Sequence, residues 1–136
     1  MKAHVFFLML IALVAVSCNL KPSIDYLRVC NNPDYDKTCP ADNSVLAASE
    51  TNRIFVTATI SHVPEATELG ITWYYLEGGE NVINSILVKT DEDMVDMPVY
   101  SYVDMPEGGW PKGKYKVVID LKLDDFSPAE KEFTIE

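Results

Sequence analysis

The chain has 136 residues, 48% of them hydrophobic, with 21 acidic against 11 basic side chains and a formal net charge of −10. That balance excludes nucleic acid and anionic membrane surfaces as partners held by bulk electrostatics, since both repel a polyanion. The length suits one domain, and three cysteines with two histidines leave little room for thiol or imidazole chemistry.

Residues 1–17 have the layout of a secretory signal peptide. Lys2 and His4 make a short polar start, residues 5–16 are an unbroken apolar run, and Ser17 supplies a small residue at the cleavage point. At roughly twelve residues the run is too short for the ~20 that span a bilayer as a helix. The tetrad Ala15, Val16, Ser17, Cys18 resembles the lipobox of bacterial lipoproteins. The resemblance implies cleavage before Cys18, a diacylglycerol thioether on its sulfur, and a further acyl chain on the new amine. Several chains at ~0.8 kcal/mol per buried CH₂ anchor stably. Asn19 stands where many inner-membrane lipoproteins carry Asp, which favours an outer-membrane or cell-surface address. The alternative is a secreted protein cut near Ser17 with Cys18 free.

An odd cysteine count in an exported protein needs an explanation. With lipid on Cys18, Cys30 and Cys39 remain as a pair, and an oxidising compartment lets them form a disulfide. Loss of residues 1–17 leaves 119, with a net charge of −11 because Lys2 departs with the leader. Residues 18–23 form a short tether, whose five residues after Cys18 reach about 17 Å when extended. Residues 24–136 then form a single domain held close to its membrane.

Segment 24–30 is strand-like. The loop 31–38, rich in Asn, Asp and Pro, is closed by Cys39 and Pro40, so the disulfide staples a run of turn formers. Residues 41–52 read as a connection with a helical turn. The segment 53–63 alternates cleanly, with Ile54, Val56, Ala58 and Ile60 on one face and Thr57, Thr59 and Ser61 on the other. Alternation recurs over 68–76, where Leu69, Ile71, Trp73 and Tyr75 share a face, and Gly78 with Gly79 makes the following turn. Segment 82–89 is apolar with weak alternation, 90–97 is an acidic connection, and 98–103 is a short strand. A loop rich in Pro and Gly, 104–112, leads to the strict alternator 114–123, and Phe133 with Ile135 marks a last strand.

About seven short strands without a convincing helix predict an all-β antiparallel sandwich. Here the sequence resembles the immunoglobulin and fibronectin-III class. Gly113, Lys114 and Tyr115 look like a tyrosine corner and Trp73 like the core tryptophan, while Val117 and Ile60 or a neighbour stand where antibody domains carry an inter-sheet cysteine pair. The run 110–115 is also similar to the end of small Ig-like modules in uncharacterised prokaryotic envelope lipoproteins, a likeness that implies no function.

Catalytic constellations are missing from the pattern. Past the leader, His62 is the one histidine, and there is no Gly-x-Ser-x-Gly elbow or phosphate-cradling glycine loop. The expectation is a protein that is not an enzyme. Asp34 with Asp36, and Asp91 with Asp93, are candidate oxygen ligands for Ca²⁺, although neither set has the glycine and terminal glutamate of an EF loop; a solvated acidic turn is the alternative, and no other cofactor is expected. Tyr74, Tyr100, Tyr102 and Trp110 are candidate partner contacts, since amphipathic aromatics grouped on a sheet face suit protein or sugar. Cross-strand pairing of the tyrosines and packing of Trp110 under Tyr115 are the competing structural readings. The function expected is that of a lipid-anchored envelope protein whose Ig-like domain binds a protein partner near the membrane as an accessory or assembly subunit. A ligand-binding or inhibitory module is the alternative, taking glycan on its aromatics or a cationic enzyme on its acidic loops.

Overall fold

The computed structural model describes residues 20–136; the leader and Cys18 lie outside them. Eight strands follow one another: β1 (Ser23–Cys30), β2 (Val45–Leu46), β3 (Arg53–Ser61), β4 (Glu68–Tyr75), β5 (Asn81–Lys89), β6 (Met97–Asp104), β7 (Gly113–Leu121) and β8 (Ala129–Ile135). They form two sheets, one of order β1-β3-β6 and one of order β2-β8-β7-β4-β5. Every pairing is antiparallel except that of β2 with β8. This is the all-β sandwich expected, with one strand more. The addition is β2, two residues long, which carries the chain from the first sheet to the edge of the second. A single 3₁₀ turn, Ala48–Glu50, lies in the connection where a helical turn was expected.

Alternation dictates the layering. In β3, Ile54, Val56 and Ile60 are fully buried, and in β7, Tyr115, Val117, Ile119 and Leu121 point the same way into the core. Leu69, Ile71 and Trp73 of β4 join them, with Phe133 and Ile135 of β8. Each such aliphatic side chain contributes about 1.5–3 kcal/mol when removed from water. Trp73 meets Phe133 edge-on at 6.2 Å and Tyr115 stacks on Phe133 at 5.4 Å, so aromatics fill the centre.

The disulfide is present between Cys30 and Cys39, and both residues are buried. Because Cys30 pairs with Phe55 on the outer side of β3, the bridge pulls loop 31–38 over the outer face of the three-stranded sheet. There the Cys39 N–H donates to Thr57 Oγ1 at 3.2 Å. A covalent bridge of this kind fits an oxidising, exported environment. No helix among the described residues is long and apolar enough to cross a membrane.

Candidate functional site

β5 and β6 are the edge strands of opposite sheets, each paired on one flank only. No strand bridges them, so the sandwich is open along their length. Cross-strand register identifies which β5 side chains face inward: Ile86 lies opposite Ile71, Val88 opposite Leu69 and Asn84 opposite Trp73. On β6 the inward residues are Met97, Val99, Ser101 and Val103, since Tyr100 and Tyr102 alternate outward.

All nine residues of β5 are exposed. Five are aliphatic, and their exposure is high for such side chains: Val82 60%, Leu87 59%, Val88 48%, Ile83 44% and Ile86 38%. Natural edge strands are usually blunted by prolines, inward charges or short length. β5 has no proline, and its one charge is Lys89 at the last position, opposite Glu68. A bulge at Ile83, between the Trp73–Asn84 and Tyr74–Val82 pairs, is its only irregularity. β6, by contrast, contains Pro98, which lacks an N–H and spoils a free edge as a template.

Three hollows follow one another between these edges. The first, about 170 Å³, is lined by Val88, Val99, Asp91 and Glu92. The middle one, about 540 Å³, lies between Ile83, Asn84 and Ile86 and the β6 segment from Tyr100 to Asp104. The last, about 250 Å³, continues past Ile83 and Val103 to Tyr75, Pro106 and Trp110. Every charged residue lining this groove is acidic. Asp104 is already paired with Arg53 at 2.6 Å, whereas Asp91 and Glu92 have no ion-pair partner among the described residues.

Of the residues singled out from sequence, Tyr100 and Tyr102 sit on the rim of the groove. They share the outer face of β6 with cations lying on their rings: Lys37 Nζ is 4.9 Å from the Tyr100 ring centre, and the Arg53 guanidinium 4.0 Å from that of Tyr102. Lys37 also donates to the Tyr100 hydroxyl at 3.0 Å, and that hydrogen bond holds its pKa above the usual lysine value. Tyr74 does not join them. It projects from the outer face of the other sheet, beside Lys116 at 5.0 Å, so the expected grouping of all three tyrosines on one face is corrected to a pair. Trp110 is also corrected. It is 7% exposed, donates its Nε1 proton to the Thr51 carbonyl at 2.6 Å, and meets Tyr115 edge-on at 6.3 Å. It is part of the floor of the groove and cannot act as a protruding anchor.

One acid of each pair accepts a backbone hydrogen bond: Asp36 from the Thr38 N–H at 3.1 Å, closing its own turn, and Asp93 from the Glu65 N–H at 2.9 Å, tying the loop after β5 to the loop after β3. Among the described residues no three His, Cys, Asp or Glu side chains converge as metal ligands would, and the two pairs lie on separate loops. Cys18, the expected lipidation site, falls outside the described residues. What sequence reasoning missed is the exposure of β5: its apolar run signalled a strand, but nothing local says that the strand lacks a neighbour. No protein-family model matches the chain, and no curated protein sequence matches it significantly.

Proposed function

We propose that the chain is an exported envelope protein, lipid-anchored through Cys18, whose sandwich binds a protein partner through its open side and performs no catalysis of its own. The observation that carries this reading is β5, a nine-residue aliphatic edge strand left wholly to solvent. Exposed apolar surface of that extent marks an interaction site, and an edge blunted only by the bulge at Ile83 and by Lys89 at its end adds a row of unpaired backbone groups. The tether supports the geometry. β1 begins at Ser23, opposite Ser61, so the anchor joins the end of the sandwich that carries Glu65, Asp91, Glu92, Asp93 and Asp96. Carboxylates there keep that end from sinking among anionic headgroups, and the groove, running along the strands, opens sideways to neighbours in the same envelope.

The test is capture of partners from the native envelope by the full chain and by an Ile86→Lys/Leu87→Lys variant whose melting curve is unchanged. A reproducible partner lost in the variant supports the reading. The same partners retained by both, or none captured by either, would remove its basis.

A further inference from the structure

The geometry points to a specific occupant of the open side, and this rests on the reading just given: we propose that the groove accepts a ninth strand, an extended apolar segment of a partner chain with basic residues at its N-terminal end, hydrogen-bonded antiparallel to β5. Three features select this occupant. The groove is long and shallow, with volumes of about 170, 540 and 250 Å³ in succession, so it suits an extended segment and not a compact side-chain anchor. Strand addition to a free edge supplies main-chain hydrogen bonds for affinity, while alternate side chains fill the hollows beneath. β5 is the better template because Pro98, the second residue of β6, has no N–H to offer a guest strand there.

Charge then fixes the ends of the guest. β5 runs from Asn81 toward Lys89, so an antiparallel strand begins beside the turn that follows Lys89, where Asp91 and Glu92 line the groove. Basic residues at its start meet those two carboxylates, which outnumber the single cation there, Lys89. At the far end the one acid lining the groove, Asp104, is paired with Arg53, and Glu80, just before β5, is paired with Lys116. A second copy of this chain fits poorly, because each brings a net charge of −11 once the leader with Lys2 is removed, and the same acidic turn.

The probe is a synthetic peptide of alternating valine and threonine with two lysines at its N-terminus, labelled and titrated against the purified full chain in detergent. Comparison peptides carry two glutamates in place of the lysines, or prolines in place of the threonines. The lysine peptide is expected to bind at least tenfold tighter than the glutamate peptide, the proline peptide not to bind, and hydrogen exchange of the β5 amides to slow at least tenfold in the complex. In the chain carrying Asp91→Lys and Glu92→Lys, both exposed, the peptide preference should reverse. Equal binding of the lysine and glutamate peptides, binding of the proline peptide, absence of β5 protection, no binding at all, or dimerisation of the chain through β5 would each overturn the proposal. If β5-dependent capture of a native partner persists while the peptides fail, the strand guest is wrong and the docking reading stands. If capture ignores β5, the docking reading itself has failed.

Discussion

The Tyr115 hydroxyl donates to the carbonyl of Pro111, four residues upstream, and so ties the loop 105–112 to the start of β7. Gly113 lies between the two, and its φ of +135° is a backbone conformation that side-chain-bearing residues rarely adopt. This is the tyrosine corner that the sequence suggested. Burial pushes the Tyr115 pKa up to about 12, with a smaller contribution from Tyr75. A phenol that titrates higher when folded than its free value of about 10 favours the native state fully below pH 10, and that contribution fades as pH climbs toward 12. Tyr115→Phe should therefore lose about 1 kcal/mol near neutrality. It should also soften the fall in melting temperature between pH 10 and 12. Identical alkaline limbs in the two proteins would refute the assignment.

The disulfide clamps its loop onto β3, and in the chain-entropy picture a ring of this size contributes about 2.5 kcal/mol. Replacing both Cys30 and Cys39 by serine should lower the melting temperature accordingly. It should also free Lys37 from Tyr100, which would appear as a loss of slow exchange in the loop amides. An unchanged melt would show that the loop holds its place without the bridge.

Two tryptophans of similar burial are in different hydrogen-bonding situations. Trp110 donates to the Thr51 carbonyl, while Trp73 Nε1 has no partner among the described residues. Phenylalanine at either place removes similar volume, but only at 110 does it strand a buried acceptor, worth about 1–3 kcal/mol. Trp110→Phe should thus be the more destabilising by at least about 1 kcal/mol in denaturant unfolding. The reverse order would contradict the contacts described.

Local chemistry makes some of this fold legible in sequence. The alternation of Ile54, Val56 and Ile60 against Thr57 and Thr59 names a strand and its core face, but not that Thr57 on the opposite face is buried too, under the loop the disulfide holds there. Cys30 and Cys39 were readable as a pair by counting. The short parallel contact of Val45 and Leu46 was not, since two residues carry no period. The exposure of β5 was hidden for a more general reason: an aliphatic run reads as a strand covered on both faces, and whether a neighbour covers it is decided by strand order, which is long-range. The same holds for Tyr74 and Tyr100, whose outward direction was readable but whose assignment to different sheets was not.

Because β5 makes no core of its own, charge placed on it should hardly disturb folding. Ile86→Lys with Leu87→Lys should shift stability by no more than about 1 kcal/mol, as is usual for exposed sites. A collapse in melting temperature would mean that β5 supports the core more than its exposure indicates.

The most direct measurement is amide hydrogen exchange of the full chain in its native envelope, compared with the purified chain in detergent. Slower exchange confined to the β5 amides and the facing rim of β6 is the expected result. Unaltered β5 exchange, with protection appearing on another face, would contradict the assignment of the open side as the place where this protein is bound.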